Sequence, residues 1–347
     1  MTAPTTKVKA GEPMDRETHA AWLARIRDAR RSILHELRKL VVGQDESIDQ
    51  ILIGMFAGGH LMIQGPPGTA KTLTIAAIAK VMDLDFKRIQ FTPDLMPSDI
   101  SGTEILEEDP GTGHRLTKFV KGPVFCNLLM ADEINRTPPK TQAALLEVMQ
   151  EKQVTIGGQT HPLPKPFYVM ATQISMEQEG TYSLPEAQQD RFMLSVMMNY
   201  LPDDQEARVV RQSTGADKIT LQKVISGADL LEFVVAVRHV TLDPRLGRFI
   251  VDLTAATRPT VAGCPDFVKE YVAWGAGLRA SQNIVLAAKS AAALDGRNEV
   301  ALPDIRKAIV PVMRHRTGLS FRAEVDRVTV EDLIRRVVAT VPEPKGI

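Results

Sequence analysis

The stretch QGPPGTAKT, residues 64–72, lies between the apolar runs HLMIQ and TLTIAAIAKVM. A glycine-rich turn between a strand and a helix, ending in lysine and threonine, is typical of a loop that wraps phosphate groups. The usual spacing is G-x-x-x-x-G-K-[ST], but this chain has alanine at position 70 instead of the second glycine. Alanine suits a loop that is already becoming helix, so we expect helical backbone at Ala70.

Each residue of this loop has a predicted task. Glycine supplies the flexible positions, proline stiffens the turn, and lysine provides a positive charge for the β- and γ-phosphates. The threonine hydroxyl is a predicted magnesium ligand. The predicted nucleotide-binding residues are Gly65, Pro66, Pro67, Gly68, Thr69, Ala70, Lys71 and Thr72. The alternative is a chance turn before a helix.

A second motif makes that alternative improbable. The run LLMADE, residues 128–133, has the pattern of a buried strand that ends in two carboxylates. We expect Asp132 to hold Mg²⁺ together with Thr72, and Glu133 to polarise the attacking water. A strand can also simply end in charged residues, but the two motifs together predict a site for ATP and Mg²⁺.

The arrangement of the remaining segments predicts an α/β fold. Short β-like runs alternate with helical runs up to about Leu201, which favours a parallel sheet with crossover helices. Helical segments follow. We therefore predict a disordered tail at residues 1–14, an α/β core with an N-terminal helix at 15–202, and a helical domain at 203–347. Thr137 is a predicted helix cap, and Gly157-Gly158 a predicted hairpin turn.

Composition excludes several classes of protein. Lys+Arg and Asp+Glu are equal at 42 each, so the protein has no net positive charge that would attract nucleic acid. The basic cluster RIRDARR is therefore interpreted as a solvated helix face. Cys126 and Cys264 lack metal-like spacing and are expected in the core. No apolar run approaches the ~20 residues that span a bilayer, and the N-terminus does not resemble a secretory signal. These features predict a cytoplasmic protein.

Longer strings resemble the MoxR family of AAA+ ATPases. They are GGHLMIQGPPGTAKT, QFTPDLMPSDISGTE, FVKGPVFCNLLMADEINRTPPKTQAALLEVMQE and EQEGTYSLPEAQQDRF. The resemblance is strong from about residue 41 to 202, and continues more loosely to WGAGLRAS at 274–281. It implies a P-loop AAA+ core with a C-terminal all-helical lid. The family's own loop carries Ala-Lys-Thr, so the unusual alanine is a family feature.

The resemblance also implies roles for residues outside the two motifs. A segment that lines the adenine pocket of AAA+ proteins corresponds to Val42, Gly43 and Gln44. Arg191 matches the expected arginine finger, which completes the site of a neighbouring subunit, with a structural salt bridge as the alternative. Arg279 resembles the lid arginine that contacts the γ-phosphate, with an ordinary surface arginine as the alternative.

One position departs from the family pattern. After the sensor strand the family usually has Ala-Thr-Gln-Asn-Pro, whereas this chain has Ala-Thr-Gln-Ile-Ser at 171–175. Ile174 has no polar side-chain atom and cannot orient the lytic water or sense the γ-phosphate. Either Thr172 or Gln173 substitutes, or turnover is slow, so we predict weak basal ATPase activity.

For function, the resemblance implies a Mg²⁺-dependent ATPase that forms a hexameric ring and remodels protein clients, with hydrolysis moving the lid against the core. It also implies a partner with a von Willebrand A-type domain. Two predicted hairpins, at 105–123 with a turn at Pro110-Gly111 and at 153–163, either line a pore, contact a client or are plain surface hairpins. The rival functions are an ATP-binding scaffold with little turnover and, less favoured, a nucleic-acid-dependent motor.

Overall fold

The computed structural model describes residues 15–108, 115–174, 180–215 and 219–346. The predicted tail at 1–14, the predicted turn at Pro110-Gly111 and Ser175 lie outside these ranges. The strands in chain order are β1 Leu61–Gln64, β2 Phe86–Gln90, β3 Gly102–Glu108, β4 Arg115–Lys121, β5 Leu128–Asp132, β6 Gln153–Ile156, β7 Gln159–Pro162, β8 Tyr168–Thr172, β9 Leu194–Met197, β10 Val272–Trp274 and β11 Gly318–Leu319.

The helices surround these strands and account for most of the C-terminal half. In chain order they are α1 Arg16–Leu37, α2 Asp45–Phe56, α3 Lys71–Val81, α4 Pro97–Ser101, α5 Pro139–Glu151, α6 Glu186–Gln189, α7 Asp203–Thr214, α8 Gly227–Arg238, α9 Pro244–Ala256, α10 Asp266–Tyr271, α11 Leu278–Leu294, α12 Leu302–Met313, α13 Phe321–Val325 and α14 Val330–Thr340. Short 3₁₀ turns cover Ile134–Arg136 and Arg314–Arg316.

A parallel sheet forms the centre of the core, as predicted. Its strand order is β2-β5-β8-β1-β9, and every described pair is parallel. All five residues of β5 and of β8 are buried, which is why their sequences are continuous apolar runs rather than alternating ones. The phosphate loop follows β1, and the acid pair consists of the last residue of β5 and the residue after it, so both motifs lie at the carboxyl edge of one sheet.

Two antiparallel hairpins project from the core. Strands β3 and β4 pair with each other, as do β6 and β7. The second hairpin turns at Gly157 and Gly158, as predicted, with φ of +58° and +77°, a backbone conformation that glycine adopts without steric cost.

The C-terminal domain is helical, apart from the short antiparallel ribbon that β10 forms with β11. Its helices α8, α9, α11 and α12 share one hydrophobic cluster with α1, α2 and the sheet. Phe233 of α8, for example, stacks on Phe56 of α2 at 5.7 Å between ring centroids and meets Trp22 of α1 at 6.0 Å. Packing is therefore continuous from core to lid. Across the described ranges, none of the helices has the length and apolarity required to cross a bilayer.

Three smaller predictions have different outcomes. The cap prediction for Thr137 is wrong: α5 begins at Pro139, and the Thr137 hydroxyl donates to Thr92 O at 2.8 Å, because that contact ties the loop to the end of β2. Cys126 and Cys264 are buried, as predicted. The basic cluster of α1 is only in part the solvated face that was predicted: Arg31 is exposed, whereas Arg25 and Arg30 are partly buried, with Arg25 paired to Asp229 and Arg30 to Asp49 and Asp295.

Candidate nucleotide site

The phosphate loop has the backbone that its glycines predict. Gly65 has φ +141°, and a Cβ there would lie 2.0 Å from Met198 O. Gly68 has φ +81° and faces open space, so no side chain blocks the approach of a phosphate to the backbone. Helix α3 starts directly after the loop and points its unpaired N–H groups toward the same space.

The expected conformation of Ala70 is wrong. This residue has φ +62° and ψ +26°, the left-handed region, and the right-handed helix begins only at Lys71. The left-handed conformation costs a non-glycine residue about 1–2 kcal/mol, because Cβ approaches the following carbonyl oxygen. A glycine would adopt this left-handed conformation without that steric cost. This chain adopts the same conformation with an alanine.

Lys71 lies over the loop. Its ammonium group donates to Gly65 O at 2.9 Å and to Pro66 O at 2.7 Å. Burial lowers its pKa, and the nearby carboxylates of Asp132 and Glu133 oppose that shift. The electrostatic effect of both acids on Lys71 supports the prediction that the two motifs converge.

The Asp132 carboxylate is held from two sides. Its Oδ1 accepts a 2.5 Å hydrogen bond from the Thr172 hydroxyl, and its Oδ2 accepts from Arg88 at 2.6 Å. Carboxylate and hydroxyl oxygens are the ligands that Mg²⁺ prefers, and a carboxylate has about four lone-pair positions, so Asp132 and Thr72 fit the predicted metal. Arg88 would compete with that metal for Oδ2.

Glu133 occupies a constrained position after β5. Its backbone is left-handed, at φ +57°. Its Oε2 accepts from Gln90 at 2.8 Å and from Arg136 at 3.2 Å. Sequence reasoning missed Arg88 and Gln90, because only the order of the strands shows that β2 lies beside β5, with Gln90 in register with Asp132.

Thr172 is a positioning residue for both acids. Its hydroxyl donates to Asp132 and accepts from the Glu133 backbone N–H at 2.8 Å. The hydroxyl group thus acts as both a donor and an acceptor toward residues at the end of β5. Of the two candidates for the missing sensor, this arrangement favours Gln173, whose Oε1 accepts from Gln64 at 2.9 Å, leaving its NH₂ group for another acceptor.

Asn135 fixes the backbone at the position of the missing sensor asparagine. Its side chain donates to Ile174 O at 2.9 Å and accepts from Ile174 N at 3.0 Å, and it is 1% exposed. The 3₁₀ turn after β5 is thus joined to the end of β8. Sequence reasoning missed Asn135, because an asparagine after a strand is equally compatible with a turn.

We expect Thr172→Val to lower kcat about tenfold at unchanged nucleotide affinity, because Asp132 and the Glu133 backbone lose their shared partner, and hydrogen bonds to charged groups contribute about 1.5–3 kcal/mol. Thr172→Ser keeps the hydroxyl and is the matched control. Phosphate release under nucleotide saturation measures the effect. Equal rates for the valine and serine variants would contradict the positioning role.

One cavity of about 920 Å³ brings most predicted site residues together. It is lined by all eight loop residues, both acids, Thr172 and Gln173, and the apolar Ile174. Val42, Gly43 and Gln44 are not among its lining residues. Their segment contacts the chain after β9, where Gln44 donates to Asn199 O at 2.9 Å. A cavity of this size, with a lysine and two carboxylates in its lining, is large enough for a nucleoside triphosphate.

Arg191 and Arg279 lie elsewhere. They line a second cavity of about 290 Å³ beside His60 and Met193, at the amino ends of β1 and β9 and thus at the opposite edge of the sheet. Arg191 donates to Leu146 O at 2.5 Å, and within the described ranges no carboxylate lies within ion-pair distance of it. Arg279 pairs with Asp190 at 3.3 Å. Within one chain, neither arginine faces the phosphate loop.

Comparisons with known proteins show the family to which the chain belongs. Residues 60–194 match the family model of the ATPase family associated with various cellular activities (AAA), and residues 266–337 match the AAA lid domain. The chain is 42% identical over 313 residues to Chaperone MoxR1 of Mycobacterium tuberculosis, covering 90% of this chain and 81% of that one.

Other relatives extend over nearly the whole length. Protein MoxR of Methylorubrum extorquens is 33% identical, with 93% of this chain and 98% of that protein covered. A crystal structure from Cytophaga hutchinsonii, of a protein named as a candidate ATPase, superposes with a TM-score of 0.86 at 41% identity, covering 96% of this chain and 100% of the other.

Proposed function

Because the chain belongs to the MoxR family of AAA+ ATPases, we propose that it binds ATP with Mg²⁺ in the larger cavity and hydrolyses it. The observation that carries this proposal is that Lys71, Asp132 and Glu133 line one cavity with the phosphate loop. A lysine, a metal-binding carboxylate and a second carboxylate around one triphosphate are the components that phosphoryl transfer to water requires.

The roles follow from the contacts. Loop N–H groups and Lys71 bind the phosphates, while Thr72 and Asp132 hold Mg²⁺, which neutralises charge on the phosphate oxygens when bound. Glu133 accepts the proton of the attacking water on Oε1, because Gln90 and Arg136 both donate to its Oε2. Thr172 keeps both acids in place, and Gln173 supplies the polar contact that Ile174 lacks.

We further propose that the site is completed by a second subunit. Arg191 and Arg279 lie at the edge of the sheet opposite the phosphate loop, so they can reach only the nucleotide of a neighbour. Head-to-tail contacts of this kind form a ring when the rotation from one subunit to the next closes. We propose a homo-oligomeric, hexameric ring, and Arg279 then acts on the neighbour's γ-phosphate rather than on its own.

The biological role that this chemistry supports is remodelling of protein complexes in the cytoplasm. One relative is named a chaperone. The β3–β4 hairpin exposes Leu106 at 70% and Ile105 at 43%, apolar side chains suited to a protein client. We propose a client or partner with a von Willebrand A-type domain, which co-purification with a hydrolysis-deficient variant would identify.

A multiple-turnover phosphate assay tests this function against the scaffold alternative. We expect Mg²⁺-dependent release of many phosphates per subunit, at a slow basal rate. Binding of ATP with at most one phosphate released per site would instead support a scaffold. Stimulation by single-stranded DNA, lost as salt is raised, would support a nucleic-acid motor.

Ile174→Asn is expected to raise kcat severalfold at equal nucleotide saturation, because an amide beside the cavity would add the missing polar contact. Ile174→Leu keeps the position apolar and serves as the control. If the asparagine variant turns over no faster than the leucine variant, the absent sensor does not limit the rate.

A further inference from the structure

One turn of the lid makes a group of hydrogen bonds with the core. This 3₁₀ turn after α12 consists of Arg314, His315 and Arg316, and each of them binds backbone carbonyls of the segment Asp190–Ser195, which ends with the first two residues of β9. Arg314 donates to Ser195 O at 2.5 Å, and His315 Nε2 donates to Phe192 O at 2.9 Å. We call these three residues the RHR clamp.

Arg316 makes the most hydrogen bonds of the three residues in the RHR clamp. Its side chain is 2% exposed, and all five of its N–H donors have acceptors. The acceptors are Asp190 Oδ1 at 2.7 Å, Asp190 O at 2.8 Å, Phe192 O at 2.5 Å, Met193 O at 3.1 Å and Val312 O at 2.8 Å. A buried cation with a complete set of acceptors fixes the backbone that it binds.

The segment held by the RHR clamp carries Arg191. Carbonyls on both sides of this residue, at Asp190 and at Phe192, accept from the same Arg316 Nη2. The Asp190 side chain also links the two domains, since its Oδ1 binds Arg316 and its Oδ2 binds Arg279 of the lid. Small displacements of the lid must therefore displace the backbone of Arg191.

We propose that the RHR clamp is a positioning device for the arginine finger, so that Arg191 and the lid of the same chain move as one unit. This rests on the proposed function, in which Arg191 completes a neighbour's site. Nucleotide turnover in one subunit then moves the neighbour's lid through Arg191 and Arg316.

A subunit-mixing experiment tests this directly. Subunits with Arg191→Ala keep the catalytic cavity but lack the finger, and subunits with Glu133→Gln keep the finger but lack turnover. Mixed assemblies should recover phosphate release that neither variant shows alone. This recovery is the test of the shared site, and its absence would overturn the shared site and with it the role of the RHR clamp.

Arg316→Lys is then placed in one partner at a time. In the Glu133→Gln subunit, which donates the finger, we expect it to reduce the recovered rate roughly 10–100-fold, because misplacement by about 1 Å can cost about 10²-fold. In the Arg191→Ala subunit, which has no finger to position, the recovered rate should not change. Equal losses in both placements, or no loss in either, would overturn the proposal while leaving the shared site intact.

Two further variants distinguish the proposed effect from an effect of misfolding. Arg314→Met removes a less completely buried member of the RHR clamp and should show the same asymmetry with a smaller loss. Arg306→Met, on the exposed face of α12 where Arg306 pairs with Glu343, is the matched control and should change nothing. Backbone hydrogen exchange across residues 190–197 should accelerate in the Arg316→Lys and Arg314→Met subunits alone; unchanged exchange there would contradict the proposal.

Discussion

Glu133→Gln is expected to leave ATP binding intact and to lower turnover by roughly 10²–10⁴-fold, the usual contribution of a positioned general base. Glutamine has nearly the same shape and retains a carbonyl oxygen that can accept from Gln90 and Arg136. It cannot take a proton from water, so the loss should be confined to kcat. Single-turnover phosphate release and nucleotide titration measure the two quantities separately.

The control for that substitution is Glu324→Gln, on the exposed helix α13, where the same chemical change should have no effect on either quantity. A Glu133→Gln variant with phosphate release like that of the parent would remove Glu133 from the role of base. Loss of ATP affinity in that variant would show instead that the carboxylate holds the nucleotide or its metal.

Arg191→Ala should lower turnover by roughly 10³–10⁵-fold, the range that arginine fingers supply to phosphoryl transfer. The basis is the position of Arg191, half-buried at the edge of the sheet remote from its own phosphate loop, with its guanidinium held by Leu146 O. ATP affinity should change little, because the finger acts on charge that develops in the transition state.

Arg248→Ala is the matched control for the finger, since Arg248 is a surface arginine with its side chain 76% exposed. It should retain the parent rate. If Arg191→Ala retained the rate as well, Arg191 would be a structural residue that anchors α6 to α5. If Arg191→Ala abolished assembly rather than turnover, its role would be at the subunit contact and not in catalysis.

The convergence of the two motifs was predictable from sequence, because the loop and the acid pair each end an apolar strand and the carboxyl ends of parallel strands meet at one edge. The backbone of Ala70 was not. The motif identifies the lysine that follows this position, but only the structure shows that right-handed helix begins at Lys71 and not before it.

The contacts across domains were also beyond sequence reasoning. Arg316 lies in the string RHR, and a basic triplet is usually a solvated surface, so its burial depends on the carbonyl acceptors of a segment more than a hundred residues earlier. The position of Arg279 was not predictable either. The family pattern indicates a contact with a γ-phosphate, but the packing of α11 against the core decides which edge of the sheet Arg279 faces.

The most direct test of the central claim is the structure of the Glu133→Gln oligomer with Mg²⁺ and ATP. We predict the triphosphate in the 920 Å³ cavity, against the phosphate loop and Lys71, with Mg²⁺ on Thr72 and Asp132 and the neighbouring subunit's arginine 191 at the γ-phosphate. A nucleotide bound outside this cavity, or a γ-phosphate with no arginine from a second subunit near it, would contradict the account.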